Sequence, residues 1–288
     1  MTEIPVEPPH DHVALLRVER DAFLALLRSL RPEDWARPTP CPGWSVLDLC
    51  CHVLGDDLGS LARDRDAHFG TVPPPGVDED GFVDWLDALN RDWVTAMRRL
   101  SPRLVVDLLA ETGMQLVDAF TARDPRARTA LVSWAGDEPV PVWLDHAREL
   151  TERWVHQQQV RRAVGLGPWL EPTMTGVVLD ALRWTYPWRL RGCRRPAGST
   201  VSVAVVDRDD ARWHLVSDGS AWHFGPAPAD RSAVVAEAAL TTDEAWRLLT
   251  GNLRPTERRA LAIAGEPDLV ARLLDARAVI GRPDATPA

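Results

Sequence analysis

Pro40-Cys41-Pro42-Gly43-Trp44-Ser45-Val46-Leu47-Asp48-Leu49-Cys50-Cys51-His52-Val53 is the stretch on which the reading of this chain turns. Its first half is a proline- and glycine-rich loop that cannot continue a helix. Ser45 followed three residues later by Asp48 has the form of a capping box, which predicts a helix from about Ser45 to Asp66. His52 lies in the middle of that helix within an apolar run, so its ring is expected inward or along a groove. An imidazole placed there needs a partner.

Working outward from this segment, helical spacing of apolar residues predicts a first helix over His12–Leu30 and two stretches over Trp85–Leu100 and Pro102–Phe120, either one kinked helix or two. A further helix is expected from about Val140 to Val164, closed by Gly165, and an apolar stretch covers Met174–Trp188. The first 190 residues therefore read as helical. After a basic connector, Arg191 to Ser199, the pattern changes to short strands at Val201–Val206, Trp213–Val216, Ala221–Phe224 and Ala233–Leu240. Thr242–Leu249 and Pro267–Ala276 read as helices flanking a strand at Ala260–Ala264. The expected organisation is a helical domain over residues 1–190 and a small α+β domain over 191–288.

Composition prunes the chemistry. A formal net charge of -9 argues against a nucleic-acid partner, because polyanion binders concentrate positive charge. All 33 Lys+Arg residues are arginine, which excludes a Schiff-base lysine, lysine-held pyridoxal phosphate and a Walker A loop. No apolar run approaches the roughly 20 residues that span a bilayer. No secretory leader is visible at Met1–His12, so a cytoplasmic protein without a membrane partner is expected. The four cysteines form no CxxC pair, and Cys50 and Cys51 read as inert packing thiols.

Glu152-Arg153-Trp154-Val155-His156 places a carboxylate and an imidazole four residues apart, on one side of a helix. Such a pair can bind one cation, with a third ligand from a neighbouring helix. His52 is the natural candidate. A buried histidine bonded to a backbone carbonyl and a solvated Glu–His pair are the plainer alternatives. Asp48 and Asp56, one turn to either side of His52, are candidates for orienting its ring or for a solvated face. His146 and Glu149 offer a competing register. The 13 tryptophans fall mostly at helix-core spacing and read as packing.

The run from Pro40 to Val53 resembles the signature of the mycothiol-dependent maleylpyruvate isomerase family, within the DinB-like metal-binding bundles. Glu152 and His156 match that family's second element, Glu-x-x-x-His, on a later helix. The resemblance extends to a C-terminal domain like the sterol carrier protein fold, ending in Thr242-Asp243-Glu244-Ala245-Trp246-Arg247-Leu248-Leu249-Thr250-Gly251. It implies a DinB-like up-down helical bundle followed by a small α/β domain, with His52, Glu152 and His156 on a divalent metal. Zinc is the first expectation and nickel the second.

The resemblance also implies mycothiol as a thiol cosubstrate and a small electrophilic substrate. A metal-held thiolate then adds to an activated alkene, giving isomerisation, or displaces a leaving group, giving S-transfer. One departure stands out. Gln159 occupies the position three residues after the second-element histidine, where relatives often carry aspartate. Arg247 and Arg254 are candidates for gripping a substrate carboxylate, against the plainer surface salt bridge. A metal-dependent hydrolase or amidase, and a non-enzymatic small-molecule-binding protein, are the alternative functions. A monomer or homodimer is expected.

Overall fold

The computed structural model describes residues 3–278. The chain divides into two compact units, each discontinuous in sequence. Among described residues one comprises 9–125 and 149–169, and the other comprises 3–8, 126–148 and 170–278. The larger sheet starts at Thr200.

The first unit is built from α1 (His12–Ser29), α2 (Val46–Ser60), α3 (Glu79–Met97), α4 (Pro102–Thr121) and the second half of α5 (Val142–Ala163). The two stretches expected before residue 121 are separate helices, and Ser101 caps the second by accepting from the Leu104 backbone N–H at 3.3 Å. The capping box at the start of α2 forms as expected. Asp48 Oδ2 accepts from the Ser45 backbone N–H at 3.0 Å, and Ser45 Oγ accepts from the Asp48 N–H at 3.2 Å. The α-helix stops at Ser60 and tightens no further, passing instead into a π-helical turn over Leu61–Arg65.

Helix α2 packs on both α3 and α4. Leu49, Cys50, Cys51, Val53 and Leu54 are all buried, and with Phe23, Leu27, Val105, Leu109 and Val160 they form the apolar core of the unit. The approach of α3 is close. A Cβ on Gly55 would lie 2.5 Å from Trp93 Nε1, the atom that donates to the Cys51 carbonyl at 2.7 Å. Only glycine lets the two helices meet there.

A second, charged core lies beside the apolar one. Asp57 is fully buried and accepts from Arg20 at 3.1 and 2.9 Å, from Arg153 at 3.1 and 2.8 Å, and from Thr112 at 2.8 Å. These bonds join α1, α2, α4 and α5. Gly113 leaves room for the Arg20 guanidinium, which would lie within about 2 Å of any Cβ there. Burial opposes ionisation of Asp57, but Arg153 and Arg20 overcome it and hold the carboxyl below its usual range.

The other unit contains the first half of α5, a two-stranded pair of β1 (Arg128–Ala130) and β2 (Val140–Pro141), then α6 (Pro172–Leu182) and α7 (Thr185–Arg189). The strand pair corrects the expectation of an all-helical first 190 residues. Its strands are too short to produce a period-2 signal. The apolar stretch Met174–Trp188 forms two helices because Pro187 has no N–H for the Arg183 carbonyl, so α6 cannot run through it.

The strands β3 (Thr200–Val205), β4 (Arg212–Ser217), β5 (Trp222–Gly225), β6 (Val234–Leu240) and β7 (Ala262–Gly265) make a sheet of order β5-β4-β3-β6-β7. All neighbours are antiparallel except β3 and β6. Val201 and Val203 face Leu215 and Trp213 across one side and Ala236 and Ala238 across the other. Helices α8 (Thr242–Leu249) and α10 (Pro267–Leu274) pack on this sheet, and the short α9 (Pro255–Arg259) precedes β7, which starts two residues later than expected. The fold class is the expected one, a helical part followed by an α/β part. Among the described residues no helix is long and apolar enough to cross a membrane.

Candidate metal centre

Helix α2 contributes His52 and, one turn on, Asp56; helix α5 contributes Glu152 and, one turn on, His156. One ligating atom from each of these residues lies within 4.8 Å of those of the other three. His156 Nε2 is 3.0 Å from Glu152 Oε1, while His52 Nε2 is 3.3 Å from Asp56 Oδ2 and 4.0 Å from Glu152 Oε1. The two imidazoles meet edge to face with centroids 4.9 Å apart, and Trp44 packs on His52 at 5.0 Å. Both histidines are buried. Glu152 and Asp56 keep 33% and 30% of their side-chain surface exposed, so the carboxylates mark the side open to a small molecule.

Electrostatics agree with a site built for positive charge. Burial opposes ionisation of Glu152, yet the hydrogen bond and charge of His156, with His52 behind, hold its carboxyl well below the usual range. Burial works against a charged His156, but hydrogen bonds with Cys41 and Glu152 raise it well above the ordinary histidine value. Asp56 is pushed up by burial and by the neighbouring Glu152, partly offset by His52. Two imidazole nitrogens and two carboxylate oxygens, with one side open, fit a divalent ion such as zinc.

Other candidates fall elsewhere. Asp48 serves the α2 cap and pairs with Arg98 at 2.9 Å. Glu149, of the competing register, is held by Arg153. Cys50 and Cys51 are buried, and burial raises both thiols, Cys51 to about 11, as expected of inert packing. Arg247 and Arg254 belong to the other compact unit and meet on Glu257 Oε2, at 2.8 and 3.2 Å. Arg247 also binds Asp243 and the Asn252 carbonyl, whereas Arg254 is 70% exposed. That unit holds a cavity of about 240 Å³ walled by Trp184, Trp188 and Trp222.

Two features of the site were missed in the sequence. Asp56 was legible as an orienting residue, but its i+4 spacing from His52 repeats that of Glu152 and His156 and marks it as a further ligand candidate. Cys41, in the loop before α2, donates to Gln159 Oε1 at 3.3 Å, and that oxygen is 2.8 Å from His156 Nδ1. Nothing in the spacing of Cys41 and Gln159 announces this contact.

Comparison with known proteins assigns the chain to a family. Crystal structures of a mycothiol-dependent maleylpyruvate isomerase and of a histidine-to-alanine variant of it share the fold, with a TM-score of 0.55 at 14% identity over 92% of this chain and 97% of theirs. Uncharacterized protein Rv0036c of Mycobacterium tuberculosis (strain ATCC 25618 / H37Rv) is 30% identical over 161 residues, 55% of this chain. Uncharacterized protein Rv0738 of the same strain is 36% identical over 66 residues, covering 22% of this chain and 32% of that protein. The match spans 58% of the length of Rv0036c. The model of the mycothiol maleylpyruvate isomerase N-terminal domain matches residues 16–161, the span that holds His52, Asp56, Glu152 and His156, and the chain belongs to that family.

Proposed function

We propose that His52, Glu152 and His156, with Asp56 beside them, hold one divalent cation, zinc before nickel, and that the protein uses it with mycothiol to act on a small electrophile. The observation that carries this reading is the convergence of four ligating atoms from two helices on one partly open point. Family membership and the likeness in fold to a mycothiol-dependent maleylpyruvate isomerase support mycothiol as the thiol and isomerisation as the first reaction to test, with S-transfer second.

A cation bound here supplies a Lewis acid that lowers the pKa of a thiol it contacts. The residues of the chain do the rest. Glu152 and Asp56 leave the site open on their side, while Trp44 and the apolar core of α2 exclude water from the other. With no lysine in the chain, no amine competes as nucleophile. Arg254, and Arg247 anchored beside it, are proposed to serve an anionic group of the substrate.

The test is direct. Purified protein loaded with zinc should hold about one ion per chain and bind mycothiol, and His156→Ala should lose both while keeping its helical circular dichroism. Stoichiometric zinc and unchanged thiol binding in His156→Ala sink the proposal.

A further inference from the structure

We infer that the Cys41 thiol fixes the Gln159 amide with its oxygen toward His156, making Cys41 and Gln159 a positioning pair that presents His156 Nε2 to the cation. The inference rests on the metal reading above and extends it to residues outside the ligand set.

A metal-bound imidazole offers one nitrogen to the cation and must carry its proton on the other, and the partner of that second nitrogen decides which is which. In His156 the nitrogen nearest Glu152 is Nε2, at 3.0 Å, and Nδ1 is 2.8 Å from Gln159 Oε1. Nδ1–H therefore donates to the amide oxygen, and Nε2 is left for the cation.

An amide is a riskier partner than a carboxylate. A carboxylate presents an oxygen whichever way it turns. A glutamine presents oxygen in one orientation and an NH2 group in the other, and an NH2 against Nδ1 would demand the opposite tautomer, with the proton on Nε2. Such a ring cannot bind a cation through Nε2. Something has to choose between the two orientations.

Cys41 is placed to choose. Its S–H donates to the same Gln159 Oε1 at 3.3 Å, so the oxygen collects two donors and the turned amide would lose both. The loop holds the thiol there. Thr39 Oγ1 donates to the Trp44 carbonyl at 2.9 Å and accepts from the Cys41 backbone N–H at 3.2 Å, and the Trp44 N–H donates to the Cys41 carbonyl at 3.1 Å. Pro40 and Pro42 fix φ on either side of the cysteine. Gln159 and His156 are both buried, so bulk water does not satisfy a turned amide.

A double-mutant cycle read by zinc affinity, using chelator competition with zinc alone, separates orientation from packing. Cys41→Ala should weaken zinc about three- to tenfold, the equivalent of one modest hydrogen bond, while Cys41→Ser, which keeps a donor, should stay near wild type. In a Gln159→Glu background Cys41→Ala should cost clearly less, since a carboxylate needs no orienting and only the direct contact of Cys41 with His156 is lost. The same cycle on metal-free protein, followed by solvent exchange of the His156 Nδ1–H proton in NMR spectra, should show faster exchange in Cys41→Ala only where Gln159 is present. Equal losses in both backgrounds, or no loss in either, overturn the inference. Wild-type protein that takes up no zinc overturns the metal reading instead, and the proton-exchange cycle still decides the orientation.

Discussion

Glu19, on α1, is fully buried, and neither of its carboxyl oxygens has a hydrogen-bond partner among the described residues. Burial pushes its pKa up to about 7, against the pull of Arg20 and Arg153. Charge counting explains why a proton suits it. Arg20 and Arg153 are already balanced by Asp57 and Glu149, so an ionised Glu19 adds an uncompensated negative charge. A carboxyl whose folded pKa lies above its unfolded value contributes stability that is complete below about pH 4.5 and is lost as pH rises through about 7. Wild-type protein should therefore lose on the order of 3 kcal/mol between pH 5 and 8 from this group. Glu19→Gln should remove that slope and melt at a higher temperature than wild type at pH 8, a comparison that thermal melts across the range make directly. A Glu19→Gln protein with the wild-type pH slope would show that the residue stays ionised in the fold.

At the scale of helices, the pairing of α2 with α5 depends on adjacent residues with opposite duties. Glu152 and Arg153 are neighbours in sequence, yet the first faces the proposed cation site and the second faces Asp57, itself the neighbour of Asp56. The Arg153–Asp57 contact thus sets the rotation of α5 against α2, and the candidate ligand pairs meet because the ion pair holds them in phase. Asp57→Ala removes the carboxylate shared by two buried guanidinium groups, leaving Arg20 without a counter-charge and Arg153 with Glu149 alone, and should cost about 3–5 kcal/mol, measured by denaturant unfolding, with weaker zinc binding as a consequence. A loss below about 1 kcal/mol would mean that water reaches the two arginines. The sequence showed α2 and the Glu152–His156 pair clearly, because a capping box and an i+4 spacing are local signals. It showed α1 as amphipathic, but Glu19 and Arg20 lie on the same face as Leu16 and Phe23, and that intrusion of charge was the unread sign of the buried network. The link from Cys41 to Gln159 spans 118 residues and carries no local pattern at all.

For the whole molecule, a ligand that binds the folded chain alone adds its binding free energy to stability. Free zinc at a hundredfold above its dissociation constant should stabilise wild-type protein by about 2.7 kcal/mol and raise its melting temperature, with no such gain in His52→Ala. Equal zinc-induced shifts in both proteins would place the ion elsewhere. The phase of α5 has a further consequence for how such chains diverge. One residue added between Glu152 and His156 turns the second by about 100° away from the first, so the ligand face is lost in a single step. Substitutions leave that phase intact, whereas insertions and deletions destroy it. Insertions and deletions inside α2 or α5 therefore break the phase of the four candidate ligands, whereas a change of length in a connection such as residues 66–78 leaves it in place.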